Sequence, residues 1–586
     1  MTGADYIAEF LWKKGIREVF LITGGACAFI VDAIGRHKRL KYKCFQHEQA
    51  AAMAADASWR VHGKVGVTVV TSGPGATNLI TGIACSFFDS IPTLHITGQV
   101  NQNEKLNYQG SRVRQAGFQE TKIVEMVKPI TKYAVQVTSG KQLIKELPKA
   151  FERALGPRMG PVLIDIPMDV QKENVGRRII LGSHPQEFKS ASEFKKAKKQ
   201  ISRFFAKTER PLVLLGAGSG LSGGTKKILT WAKTNRLPFV ASWNALTYFD
   251  HRMKNYFGHI GVYGNRGSNF LIQNCDRLLV LGSRLDNRQR SGNSSNFARN
   301  AKILAVDVDG EELKKYKNNS HFVKGIRADL KSANQLLPKI KWNDKKQIWE
   351  HYCLLMKKKY FGKNPSIFCA KNKSLSPYDV VKKINSFCKQ NAVVIADDGA
   401  NLCWVFQAFL CSSQKLFTAG GNSPMGYSFP AAIGAAFYLP KAQILAFTGD
   451  GSMQMNIQEL QTLRHHRLNV KVIILNNFGY GIIKQFQDLY FGGRYHATGH
   501  GYSQPDFGKV ASAYNIKYKR ISTLSDLKKA DFVKRGPMIF DITLDPNTQI
   551  EPKLELGRSL EDQYPYLSQQ EYKQGMSFVP SNRRNL

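Results

Sequence analysis

The chain lacks a Cys-x-x-C pair, an unbroken apolar run long enough for a membrane, and enough acidic residues to balance its basic ones. Its nine cysteines are odd in number and scattered from Cys27 to Cys411, which excludes a disulfide framework and a cysteine-ligated zinc site and points to a reducing compartment. The longest apolar run, 429–447, is interrupted by Pro430, Pro440 and Lys441, so it reads as a helix followed by a strand, and no membrane partner is expected. The first residues, MTGADYIAEFLWKKGI, carry Asp5 and Glu9 and lack the basic-then-apolar layout of a secretion signal. An amphipathic helix and a cytoplasmic protein are expected. Only 44 acidic residues face 84 basic ones, a net charge of +40. The excess collects in 189–207 and 314–359 without any nucleic-acid-binding motif, and reads as a solvated basic face with no nucleic-acid partner.

What is present is a long chain, 586 residues at 43% hydrophobic content, enough for three domains of ordinary size. The first, 1–175, alternates short apolar strands with helix-length stretches, the pattern of a parallel sheet covered on both faces. Two of its turns are built from small residues where a ligand or another backbone comes close: Gly24-Gly25-Ala26 after the first strand, and Ser72 to Asn78 (SGPGATN) after the third. A second α/β domain is expected over 190–340 and a third over 375–548, followed by a tail, 549–586. A basic linker of helical character (180–207) and a lysine-rich connector (338–374) are expected to join them. The fold class is therefore α/β, with three doubly wound parallel sheets.

Residues 444–477 carry the strongest pattern. ILAFTGDGS reads as a strand and turn, MQMNIQELQTLRHHRL as one amphipathic helix, and NVKVIILNN as a second strand. A right-handed crossover brings both strand ends to one sheet edge, so Asp450 and Asn477 become neighbours. A carboxylate, an amide oxygen and the backbone carbonyl at Gly479 suit a hard cation, Mg²⁺, whose remaining ligands are phosphate oxygens. Gly449, Gly451 and Ser452 let backbone N–H groups close on those phosphates at a helix N-terminus.

This GDG…NN pattern resembles the thiamine-diphosphate fingerprint. Together with HEQAA, TSGPGATN, DSIPTLHITGQV, FQETKIVE, GPVLIDIPMDVQ and MGYSFPAAIG it is similar to the acetolactate synthase-like family of thiamine-diphosphate enzymes. The resemblance implies the thiamine-diphosphate-binding fold, with pyrimidine-side, central and diphosphate-side domains, and thiamine diphosphate and Mg²⁺ as cofactors. It implies that Glu48 activates the aminopyrimidine ring through its N1′, that Gln119 is catalytic, and that Gly25, Ala26, Pro74, Asn78, Ala400, Asn401 and Met425 contact the cofactor. Met425 would prop it in a folded V shape. It also implies a homodimer or homotetramer in which Glu48 reaches the cofactor held by the neighbouring subunit. The reaction implied is decarboxylation of pyruvate or a similar 2-oxo acid with carboligation to an acceptor carbonyl.

Several positions depart from the family. Ala400-Asn401 stands where Gln-His is usual, and Phe486 where amino-acid-biosynthetic members have a tryptophan. The loop 101–120 is longer and brings Arg112 and Arg114 toward an anionic acceptor. The tail is more similar to relatives encoded with surface-polysaccharide synthesis. A keto-sugar nucleotide as acceptor, or simple decarboxylation, therefore remains open beside the acetolactate-type reaction. FAD remains open as well. Gly216 and Gly218, then Arg284, Asp286 and Arg288, then Asp307 and Asp309, resemble stretches that hold FAD in flavin-containing members, while flavin-free relatives keep similar turns for structural reasons.

Overall fold

In the computed structural model, which describes residues 1–104, 114–182, 190–315, 321–340, 346–363 and 366–578, the apolar strand runs assemble into three six-stranded sheets with parallel pairing throughout. The first holds β1 (Glu18–Leu21), β2 (Lys41–Cys44), β3 (Gly66–Val70), β4 (Thr93–Gln99), β5 (Tyr133–Gln136) and β6 (Val162–Pro167), in the order β2-β1-β3-β4-β6-β5. The second holds β7 (Pro211–Leu215), β8 (Phe239–Ala241), β9 (Tyr256–His259), β10 (Arg277–Leu281), β11 (Lys302–Asp307) and β12 (Ile326–Arg327), in the order β12-β11-β10-β7-β8-β9. The third holds β13 (Val393–Ala396), β14 (Lys415–Phe417), β15 (Ile444–Gly449), β16 (Val470–Asn476), β17 (Lys517–Ile521) and β18 (Met538–Thr543), and repeats the order of the first. Strands such as GVTVV and VKVIILN are buried along their whole length because helices cover both faces.

Strand order decides where ligands go. In the outer two sheets the order reverses between β1 and β3 and between β13 and β15, and open α/β sheets bind ligands in the crevice at such a switch point. The loops there are the small-residue turns at 24–26 and 72–78, and those at 397–401 and 449–452.

Four of the segments show more structure than their sequence expectation specified. The 180–207 stretch is not a free linker: Ser190 and Glu193 form a capping box that starts the helix Ala191–Phe205, and its Ala197, Ile201, Phe204 and Phe205 enter the core beneath the middle sheet. In the 338–374 connector, the helix Lys346–Tyr360 buries Trp349, Tyr352, Cys353 and Met356 on that sheet's other face. The helix expected after the GDG turn is broken into Asp450–Met455, a 3₁₀ turn at Ile457–Glu459 and Leu460–His465. Asn456 interrupts it, because its side chain leaves the helix to donate to Gly426 O at 2.8 Å. The tail, finally, returns to the middle sheet. Leu554, Leu560, Tyr572 and Met576 are buried there, Asn269 and Asn274 donate to the carbonyls of Leu560 (3.1 Å) and Gly575 (2.9 Å), and Arg266 donates to Gln563 O at 2.9 Å.

One tail residue sits badly. Lys553 is enclosed with no hydrogen-bond partner for its Nζ among the described residues, and burial pulls its pKa down to about 8. A folded pKa below the unfolded value of about 10.4 means that the charged side chain opposes folding fully below pH 8 and less as the pH rises toward 10.4. Lys553→Met is therefore expected to unfold at a higher temperature than the parent at pH 7, with the gain shrinking by pH 10. A lower unfolding temperature at pH 7 contradicts this.

Candidate active site

The helix Glu48–His62 is clamped by close backbone contacts. Cβ atoms added at Gly66, Gly82 and Gly434 would lie 2.0 Å from Ala55 O, 2.3 Å from Ala52 Cβ and 2.5 Å from Ala54 O, so the run AAAMAADAS is small because strand and helices press on it from three sides. Its N-terminus is fixed from the third sheet's side of the molecule. Glu459 accepts from the backbone amides of Gln46 (2.9 Å) and His47 (3.0 Å) and from Thr462 Oγ1 (2.6 Å), and burial pushes its pKa up to about 7 despite those bonds. Glu48, the next residue, is thereby held at the head of the helix, 9% exposed.

Around Glu48 the first switch point closes. Asn78 Nδ2 donates to Glu48 Oε2 at 2.9 Å, and a Cβ on Gly75 would stand 3.4 Å from Oε1. Gly73, at φ +58°, turns the chain into the short helix that begins at Pro74 and packs against Gln119, itself at φ +63°; a Cβ on Gly73 would lie 2.9 Å from Gln119 Cβ. Gly24 leans on Thr71, Ala26 O accepts from Gln171 Nε2 at 2.7 Å, and Gly25 faces open space. Glu48, Pro74, Asn78 and Gln119 are thus brought together, with Gly25 and Ala26 on the facing loop.

At the second switch point Asp397 and Asp398 organise the loops. Asp397, fully buried and pushed up to about 7 by that burial, accepts from Tyr427 N (3.1 Å), Ser428 Oγ (3.1 Å) and Thr448 Oγ1 (3.2 Å). Asp398 accepts from Ser423 Oγ at 2.6 Å, and its carbonyl receives Asn401 Nδ2 (2.8 Å) and Ser452 Oγ (3.3 Å). Half-buried Met425 is carried on the loop these bonds pin. Asn401 also borders Gly449, whose added Cβ would lie 3.4 Å from Asn401 Nδ2; Ala400 is buried beside it as the first residue of its helix. Asp450 begins its helix, and burial pushes its carboxyl up to about 6, against the hydroxyl of Tyr502 at 2.5 Å and the amides of Gly479 and Asn477. Asp450, Asn477 and Gly479 therefore meet. Gly451 is glycine because the Tyr480 ring lies over it, 2.4 Å from where a Cβ would be.

The residues fit a diphosphate and its cation. Among the described residues Asn401 Oδ1, Asn477 Nδ2 and Thr71 Oγ1 are buried without partners, polar atoms left for a ligand to satisfy. A cation at Asp450 would have one carboxylate from the protein, so anionic phosphate oxygens complete its shell.

The N-terminal, central and C-terminal domains of the thiamine pyrophosphate enzymes match residues 1–126, 199–335 and 397–542; the first and last are described as TPP-binding. The acetolactate synthase large subunit of Cyanidium caldarium is 32% identical over 95% of this chain and 96% of its own length. A probable acetolactate synthase large subunit of Methanocaldococcus jannaschii is 33% identical over 93% of this chain and 92% of its own. The isozyme 2 large subunit of Escherichia coli is 30% identical over 97% of this chain and 100% of its own. The chain belongs to the acetolactate synthase-like family of thiamine-diphosphate enzymes.

The middle sheet of this family member has the strand order of dinucleotide-binding folds, with its switch point between β7 and β10. Two loops cross closely at that point. Gly216 N and Gly218 N donate to Leu281 O (2.9 Å) and Gly282 O (3.0 Å), and a Cβ on Gly216 would lie 2.0 Å from Gly282 O. Arg284 donates to Phe88 O at 2.5 Å and lies 3.9 Å from Asp89 and 3.7 Å from Asp286. Asp286 caps its own short helix, and Asp307 accepts from Asp309 N at 2.9 Å. Asp309 pairs with Arg158 at 2.6 Å, joining the first and middle sheets' loops. Arg288 is exposed. The glycines thus serve the crossing of two loops, and Arg284, Asp286, Asp307 and Asp309 are engaged in contacts within the protein.

Of the residues expected at the acceptor, Phe486 is half-buried, its ring 4.6 Å from Tyr490 and 5.6 Å from Phe491. Arg114 is exposed, and Arg112 lies outside the described residues. Sequence reasoning missed Glu459, Tyr502 and Thr71. Glu459 stands inside the stretch MQMNIQELQTLRHHRL and Thr71 at the head of TSGPGATN, but no local pattern marks either one, or Tyr502.

Proposed function

We propose that this chain decarboxylates pyruvate or a similar 2-oxo acid and ligates the remaining two-carbon unit to an acceptor carbonyl, using thiamine diphosphate and Mg²⁺. Glu48, held by Glu459 and Asn78 at the first switch point, is the observation that carries this reading. When bound, thiamine diphosphate supplies the electron sink that decarboxylation needs. Glu48 would exchange a proton with N1′ of its pyrimidine. Asp450, Asn477 and the Gly479 carbonyl would hold the cation, Asn401, Gly449, Gly451 and Ser452 the diphosphate, and Met425 the bend between the rings. Gly25, Ala26, Pro74 and Ala400 would shape the walls, and Gln119 would orient the substrate. Parent protein given pyruvate should release CO₂ and form acetolactate only when both cofactors are present.

Among the described residues no hydrogen bond or ion pair joins Glu48, Asn78 or Gln119 to Asp450, Asn477 or Ser452, and Phe118, beside Gln119, is 85% exposed. Both observations support a homodimer or larger homo-oligomer in which a second copy completes each site. No described helix is long and apolar enough to cross a membrane, and all nine cysteines are free; the latter supports a cytoplasmic location.

The acceptor follows from Phe486. A tryptophan at this place in the biosynthetic relatives would contact the extra methyl of 2-ketobutyrate, a contact worth about 1 to 3 kcal/mol. The smaller ring, with Asn401 in place of the family's histidine, supports a pocket that does not favour that methyl. In competition between equimolar pyruvate and 2-ketobutyrate, products are expected in near-equal yield or in low yield from both, the latter directing attention to a keto-sugar acceptor. A strong bias toward acetohydroxybutyrate contradicts the assignment.

A further inference from the structure

The stretch that follows the helix Gly481–Phe491 folds back over the diphosphate edge of the third sheet. Gln487 Nε2 donates to His496 O at 2.9 Å, and Gln454 Nε2 reaches Ser503 O at 3.3 Å. Between these anchors Tyr502 stacks edge-on against Tyr480, centroids 4.8 Å apart, and its hydroxyl donates to Asp450 Oδ2 at 2.5 Å. Tyr480 in turn covers Gly451. A residue far along the chain from the GDG turn thus holds one oxygen of its aspartate.

A carboxylate has two oxygens and a rotatable bond, and a cation takes the oxygen it is offered. A hydrogen bond to one oxygen leaves the other presented in a fixed direction, which is how partners of metal ligands tune affinity. We propose that Tyr502 is a positioning residue for the cation: it holds Oδ2 of Asp450 so that Oδ1 faces the ion, and it couples metal retention to the docking of the 495–505 stretch. This rests on the reading of Asp450 as the metal carboxylate.

The test uses the full chain and Mn²⁺ as probe, with free Mn²⁺ followed by electron paramagnetic resonance with and without thiamine diphosphate. Parent protein is expected to take up Mn²⁺ in a thiamine-diphosphate-dependent way. Tyr502→Phe is expected to bind it about 10- to 100-fold more weakly, the range found for such partners, while the metal-free variant melts within a few degrees of the parent. Equal or tighter Mn²⁺ binding by the variant overturns the inference, as does a weakening matched by a large drop in metal-free melting temperature, which would make Tyr502 merely structural. Parent protein that takes up no Mn²⁺ with thiamine diphosphate removes the metal reading of Asp450 itself, a distinguishable failure.

Discussion

Glu48→Gln protein is expected to fold, bind thiamine diphosphate and turn over about 10²- to 10⁴-fold more slowly than the parent, the range for loss of one general acid–base group. The amide replaces the carboxylate without disturbing what places it. Glu459 grips the backbone of Gln46 and His47, not the side chain at 48, and Asn78 Nδ2 can donate to an amide oxygen as it does to Oε2. What the amide cannot do is give a proton to N1′ and take it back. The check is kcat beside the cofactor Kd: a lowered kcat at near-parental Kd is expected, and near-parental kcat contradicts the role.

Asp450→Ala carries the second large effect. It deletes the one carboxylate among the groups proposed to hold the metal, which would leave the amide of Asn477 and a backbone carbonyl to neutralise a divalent ion beside a diphosphate, which neutral oxygens do poorly. Titration of thiamine diphosphate with and without Mg²⁺ is expected to show metal-dependent tightening in the parent and none in the variant. An unchanged Mg²⁺ dependence rules out the site. Because Glu48 and Asp450 of one working site are proposed to lie on different chains, co-expression of the two inactive variants should restore part of the activity; a mixture as dead as its components argues against shared sites.

Much of this was legible because the chemistry sits in turns. Small residues at 24–26, 72–78 and 449–452 mark places where backbone must approach something closely, and the continuous apolar strands before them put those turns at sheet edges. At Gly216 and Gly218 the same logic leaves the neighbour unnamed. Glycine spacing reports that something comes close but not what, and within the protein the loop at Gly282 does. Glu459 was hidden for another reason: its partners Gln46 and His47 lie far away in sequence, and no local pattern records a contact across two sheets. The packing of the tail was not legible because its buried residues, Leu554, Leu560, Tyr572 and Met576, are too widely spaced to show a period. Glu48 was legible only as a first-turn glutamate; the resemblance gave it a role, and the structure supplies the clamp that such a role needs.

The most direct measurement is CO₂ release from carboxyl-labelled pyruvate by the purified full chain. Labelled CO₂ that requires both thiamine diphosphate and Mg²⁺, and that falls at least about 10²-fold in Glu48→Gln, is the expected result. Release that is absent for pyruvate and for other 2-oxo acids, or that survives the loss of Glu48, contradicts a thiamine-diphosphate site activated by that residue.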